Sequence, residues 1–178
     1  GTGGASLSVQ STKARNLGGA LVQFTLQDGG QITAQSPITG EISMPDLAIT
    51  RIEATRPWNV AAGDARITVL DALDVLRMAV GLTPSFGPAQ AQHYVAADLN
   101  DDGRITVLDA LEVLRAAVGL NSANGPRWVF FDTDLDWSAL SLSRNSTHVP
   151  RGIEVDADWA GGDFGLQGIL LGAMGDVI

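Results

Sequence analysis

Asp98-Leu-Asn-Asp-Asp-Gly-Arg-Ile-Thr-Val-Leu-Asp109 decides how the chain is read. Oxygen-bearing side chains fall at positions 1, 3 and 5 of this run, as Asp98, Asn100 and Asp102. Gly103 stands at position 6, where a tight loop must turn sharply, and Arg104 at position 7 offers its carbonyl. Thr106 at position 9 reaches an ion directly or through water, and Asp109 closes the run at position 12. A hard cation with six or seven oxygen ligands needs this distribution on one turn. The run is therefore expected to be a calcium loop leading into a helix.

The same residues recur upstream. Asp64 to Leu82 matches Asp102 to Leu120 at sixteen of nineteen positions, at an offset of 38. Thr68 and Thr106 are natural N-caps, each with an Asp three residues later (Asp71 and Asp109), which predicts a capping box on both helices. Gly81 and Gly119 predict where the helices stop, after about three turns. Val69, Ala72, Leu73, Leu76 and Val80 form an apolar stripe that Val107, Ala110, Leu111, Leu114 and Val118 repeat. Leu70, Val75 and Ala79, with Leu108, Val113 and Ala117, fall outside it, so each helix is apolar around most of its circumference and needs cover on more than one side.

On either side of the repeat the pattern turns to β. Ala20 to Leu26 alternates, with Val22, Phe24 and Leu26 on one face, and shorter strands are expected near 7–9, 31–33, 41–44 and 49–54. Further strands are expected at 127–131, 152–156 and 165–171. Asp132, Asp134 and Asp136, and likewise Glu154, Asp156 and Asp158, read as polar outer strand faces. A short helix is expected over 89–95, carrying His93 as a surface or packing residue.

The duplicated loop-helix unit resembles a type I dockerin. The resemblance covers about residues 58–121 and rests on the duplication, the Asp-x-Asn-x-Asp-Gly-x-Ile loop at 98–105 and Asp at loop position 12. The Leu-Arg pairs Leu76-Arg77 and Leu114-Arg115 and the closing Gly-Leu add to it. It implies two packed loop-helix units with approximate two-fold symmetry. It also implies recognition of a cohesin partner through loop positions 10 and 11, here Val69-Leu70 and Val107-Leu108, and the helix face beyond. The first loop departs from the pattern. In the same register Val60 takes position 1, Ala62 position 3 and Ala65 the glycine position, leaving Asp64, Thr68 and Asp71 with the Arg66 carbonyl as a degenerate second site. One calcium ion is expected, with a second possible at that loop.

A dockerin-like module in mid-chain suggests an architecture of class α+β. Residues 1–57 and 122–178 are each marginal alone, but together they have the size of an Ig-like antiparallel β-sandwich. The module at 58–121 would be inserted between them, and the sandwich would cover Val69, Leu70, Val107 and Leu108.

The 178 residues are 45% hydrophobic and 17% charged, enough for a substantial core. The net charge of −9 argues against a nucleic-acid or anionic-membrane partner. The longest apolar run near the C-terminus, from Gly168 to Met174, is too short to span a bilayer. With no cysteine there is no disulfide, thiolate zinc site or cysteine nucleophile. The opening Gly1-Thr-Gly-Gly, without Met, suggests a processed product or an excised piece. No nucleophile elbow, phosphate loop or zinc motif is present, and neither His93 nor His148 has a catalytic context, so no enzyme is expected.

Three functions fit this sequence. The first is an extracellular or cell-surface calcium-binding structural or adhesive module of a larger, bacterial protein. The second is a true dockerin bound to a cohesin-like partner. The third is a fibre subunit that pairs with copies of itself through strand exchange at its glycine-rich start and apolar end. Burial of the Val-Leu faces would favour the first of these, and an exposed apolar patch the second.

Overall fold

The computed structural model describes residues 5–159 and 161–178; the glycine-rich opening at 1–4 lies outside the described residues. Its strands are β1 (Ser6–Ser11), β2 (Leu21–Leu26), β3 (Gln31–Gln35), β4 (Glu41–Ser43), β5 (Ile49–Pro57), β6 (Arg127–Asp132), β7 (Ile153–Glu154) and β8 (Phe164–Leu170). The helices are α1 (Val69–Ala79), α2 (Ala91–Ala96) and α3 (Val107–Ala117).

The chain divides into two compact units. The first comprises the chain up to Arg56 with Val129–Leu135 and Pro150–Gly168. The second comprises Pro57–Trp128, Asp136–Val149 and Ile169–Ile178. A β unit assembled from both ends of the chain was expected, but residues 136–149 and 169–178 belong with the helices instead. The reason lies in their hydrogen bonds, described below for Arg144, Thr147 and Met174.

In the β unit the strands follow one hydrogen-bonded order, β3-β2-β5-β6-β8-β1-β4, with β7 added beside β5. Alternation puts Leu7, Val9, Val22, Phe24 and Ile52 in the core. β6 sits mid-sheet, and its run from Trp128 to Phe131 is buried on both faces, as a central strand requires. The pairing is not purely antiparallel: β1 runs parallel to β8, with Leu7 opposite Phe164 and Ser11 opposite Gly168. A parallel pair needs a long connection, and most of the chain lies between these two strands. The three aspartates expected on one strand face form turns instead. β6 ends at Asp132, whose carboxylate accepts from the Asp134 amide, and Asp136 caps a single 3₁₀ turn at Trp137–Ala139. β7 likewise stops at Glu154, short of Asp156 and Asp158.

In the helical unit both capping boxes form, at Thr68/Asp71 and Thr106/Asp109. Both helices end in a Schellman motif. Leu82 N donates to Arg77 O (2.7 Å) and Leu120 N to Arg115 O (2.8 Å), with Gly81 and Gly119 left-handed at φ 80°. The side of α1 that is buried is Ala72, Val75 and Met78, with Asp71 and Asp74; on α3 it is Ala110 and Val113, with Asp109. The large residues of the apolar stripe, Val69, Leu73, Leu76 and Val80 with their copies on α3, therefore lie on the more open side, while Ala72 and Ala110 within it are buried. Tertiary contacts settle this. Met174 N donates to Asp71 Oδ1 (3.0 Å), and a side chain at Gly172 would meet Val113, Leu99 and Pro126, so the end of the chain packs against the Val75/Val113 side. His93 is a buried packing residue, stacked on Phe86 at 4.2 Å with Nδ1 accepting from Gln90 N. Burial depresses its pKa, partly opposed by the Asp74 charge.

Candidate metal centre and the helix-pair groove

The loop at 98–109 is shaped by its own backbone. Asp101 and Gly103 are both left-handed, at φ 58° and 84°. Asp tolerates that region and Gly enters it freely. These two turns fold the acidic side chains inward. Carboxylate oxygens of Asp98, Asp102 and Asp109 lie within 4.8 Å of one another. Among the described residues this is the only group of three or more acidic, His or Cys side chains placed to share one metal ion. Asp98 and Asp109 are buried, and Asp102 is exposed.

Each carboxylate is held by N–H or O–H donors. Asp98 Oδ2 accepts from Gly103 N (3.0 Å) and from Thr147 Oγ1 (2.7 Å), and Asp98 Oδ1 accepts from Asp102 N (3.3 Å). Asp109 Oδ2 accepts from Thr106 N (2.8 Å) and Oδ1 from Asn100 N (3.2 Å). Asp109 is thus both the capping-box partner of Thr106 and the residue that closes the loop. Asn100 Oδ1 accepts from Asp102 N (3.3 Å), and Asp102 Oδ1 accepts from Arg104 N (3.0 Å). Thr106 Oγ1 accepts from Leu108 N (3.3 Å) as the N-cap.

These donors do not neutralise the site. Burial pushes the Asp109 carboxyl up to about 6; the amides of Thr106 and Asn100 oppose this, and the Asp98 and Asp102 charges add to it. Asp98 is raised first by burial, against the hydrogen bonds from Thr147 and Gly103. A buried, all-oxygen carboxylate cluster is what a hard metal cation stabilises, so the residues present can hold a metal ion.

A measurable consequence follows for protons. The folded pKa of Asp109 lies above its ordinary value of 3.8, so in the metal-free protein this group favours the fold below about pH 4. That contribution is lost as the pH rises through about 6. An ion displaces the proton, so metal uptake near pH 6 is expected to release a substantial fraction of one proton. Calorimetry in two buffers of different ionisation enthalpy reads this, and zero release would remove Asp109 from the ligand set.

The first loop is built differently. Asp64 Oδ2 accepts from Asn59 N (2.9 Å) and from the indole Nε1 of Trp128 (3.0 Å). Asp71 Oδ2 accepts from Thr68 N (2.8 Å) and Thr68 Oγ1 (3.1 Å), while Oδ1 accepts from Met174 N (3.0 Å). Both carboxylates are buried and supplied with donors from outside the loop. Arg66 is exposed, and Asp64 and Asp71 are not in the clustered group.

No protein-family model, curated protein or solved structure matches this chain.

The expected partner-facing residues all lie on the helix pair. Val69, Leu70, Val107 and Leu108 are 58, 54, 57 and 62% exposed, so the cover expected for them is absent among the described residues. Between α1 and α3 runs an open groove of about 310 Å³, lined by Val69, Leu73, Leu76, Val107, Leu111 and Leu114 together with Ala72 and Ala110. Arg77 is half-buried, and Arg115 is exposed with Nη1 3.7 Å from Glu112. Thr147, Trp128 and Met174 escaped the sequence reading. They lie far from both loops in sequence, and no loop register includes them.

Proposed function

We propose that the chain is a non-catalytic, calcium-dependent protein-docking module of a secreted or cell-surface protein, with a cohesin-type domain as the partner that the dockerin resemblance implies. The observation that carries this reading is the exposed apolar groove repeated across α1 and α3. A purely structural ion site would need those faces covered within the chain, whereas large open apolar surface on a soluble fold marks an interaction site. Calcium is supported by six loop positions that offer oxygen, at Asp98, Asn100, Asp102, Arg104, Thr106 and Asp109, and by the left-handed turns that gather them. A single ion is proposed, because Asp64 and Asp71 are not gathered into a cluster and Val60 and Ala62 offer no side-chain oxygen. The net charge of −9 suits a surrounding medium rich in calcium. We also propose that the β unit is a discontinuous Ig-like sandwich hosting the module at 58–121, since strands from both ends of the chain join one hydrogen-bonded order.

The test is titration of a panel of cohesin-type domains, in calcium and in chelator, against wild type, Val69→Asp, Val107→Asp and the double variant. An acidic residue is tolerated in the first turn of a helix, so the fold should survive these changes. Each single variant is expected to keep most of the affinity, because the sister repeat offers a second docking orientation. The double variant is expected to lose about 100-fold or more, as loss of a central apolar anchor does. A double variant that binds like wild type would move the docking surface elsewhere, and failure of every panel member would reject the cohesin-type partner.

A further inference from the structure

Residues 143–147 form a tight turn, with Ser143 N donating to Ser146 O (3.0 Å) and Ser146 N donating back to Ser143 O (3.1 Å). The turn lies against the acidic loop and pairs with its backbone. Ile105 N donates to Arg144 O (2.7 Å), and Thr147 N donates to Gly103 O (3.0 Å). Thr147 is itself buried, and its hydroxyl donates to Asp98 Oδ2. From the same turn Arg144 reaches the end of the other repeat. Its Nη1 donates to Ala79 O (2.8 Å), a carbonyl in the last turn of α1. The guanidinium lies over Gly81, where a Cβ would come within 3.3 Å of Nη1. Among the described residues the matching glycine of the second repeat, Gly119, has nothing within 4 Å of such an atom, so there this contact belongs to one repeat alone.

We propose that the turn at 143–147 is a strap that holds the first residue of the calcium loop in its binding position and ties that loop to the C-terminal end of α1. This rests on the calcium reading above. Thr147 is a positioning residue. With Gly103 N it fixes Asp98 Oδ2, so that Oδ1, which accepts only a long bond from Asp102 N (3.3 Å), is the oxygen turned to an ion, as partners behind metal-binding carboxylates do. Arg144 is the second attachment. Because one short turn carries both contacts, ordering the loop around an ion also orders the strap, and with it the Ala79–Leu82 end of the helix that lines the groove. The loop of one repeat is thereby coupled to the helix of the other.

The experiment uses the full chain and calcium alone as the probe. Thr147→Val, which keeps the shape and removes the donor, is expected to weaken calcium binding about ten-fold, and Thr147→Ser to stay within about two-fold of wild type. Arg144→Gln is expected to keep calcium affinity within about three-fold. In wild type, calcium is expected to slow hydrogen exchange at the Gly81 and Leu82 amides, and in Arg144→Gln that calcium-dependent protection is expected to vanish. Melting in chelator separates positioning from folding: Thr147→Val should melt within a few degrees of wild type there, and differ from it in calcium. If Thr147→Val does not fold, the Thr147→Ser affinity and the Arg144→Gln exchange pattern still decide. Wild type that binds calcium while Thr147→Val binds it equally overturns the strap and leaves the metal site standing. Exchange at Gly81 and Leu82 that ignores calcium in wild type overturns the coupling. Wild type that takes up no calcium overturns both.

Discussion

Chelation is expected to lower the melting temperature of the wild-type protein by about 5–10 °C, and Asp98→Ala/Asp102→Ala is expected to abolish that difference. The ligands converge only in the folded loop, so an ion bound there stabilises the fold by mass action. At a calcium concentration about 100-fold above the dissociation constant the gain is about 2.7 kcal/mol. For a chain of this size each kcal/mol moves the midpoint by about 2–4 °C. The metal-free protein carries the opposite term, because Asp98 and Asp109 are buried among like charges and their carboxyls are raised. The double variant binds no ion and also loses the Asp98 acceptor of the buried Thr147 hydroxyl, so it should melt at or below the chelated wild type, at the same midpoint with or without calcium. Differential scanning calorimetry with calcium and with chelator reads all four states. A wild-type melt indifferent to chelation would refute a stabilising ion.

The two loops of the repeat are expected to respond in opposite ways. Asp64→Ala and Asp71→Ala should each destabilise the protein by about 1–3 kcal/mol, equally in calcium and in chelator, and wild type should bind one calcium ion. Removing the Asp64 carboxylate takes an acceptor from the buried Trp128 indole N–H, and removing that of Asp71 leaves the Met174 amide with only Gly172 O (3.1 Å) and breaks the Thr68 capping box. Loss of a hydrogen bond to a charged acceptor costs about 1.5–3 kcal/mol, and loss of capping adds to this. Neither carboxylate belongs to the acidic cluster at 98–109, so the effect of their removal should not depend on the ion. A stoichiometry of two, or an Asp64→Ala effect that appears only in calcium, would show that the first loop is a working site.

The contrast between the loops also marks how far the sequence could be read. Oxygen-bearing residues at positions 1, 3, 5 and 12 with Gly103 at 6 admit few other local structures, and the structure gathers Asp98, Asp102 and Asp109 as that spacing requires. For the first loop the sequence showed only what was missing, at Val60, Ala62 and Ala65. The Trp128 and Met174 donors come from 64 and 103 residues away from their partners. No local pattern announces a contact made across that separation.

The helices show the same limit. Their lengths, caps and Schellman ends were written locally, in Thr68, Asp71, Gly81 and their copies. Which side would be buried was not. Val69, Leu73, Leu76 and Val80 are as apolar as Val75 and Met78, and a helix apolar around most of its circumference leaves its orientation open. The cover expected for Val69, Leu70, Val107 and Leu108 is missing, and the chain end carrying Gly172 and Met174 packs on the other side.

By itself the sequence determined what depends on neighbours within a turn or a helix: the duplicated loop-helix units, their caps and stops, the ligand spacing at 98–109 and the alternation of the main strands. These follow from backbone sterics and side-chain periodicity, which act over a few residues. The tertiary structure alone decided the strand order with its parallel β1–β8 pair, the transfer of residues 136–149 and 169–178 to the helical unit, and the strap behind Asp98. It also decided which apolar face stays open. In the sheet the choice is among strands of similar hydrophobicity, made by backbone pairing across long separations, and in the helical unit directional hydrogen bonds between distant residues accompany it: Asp71 to Met174, Asp64 to Trp128 and Asp98 to Thr147.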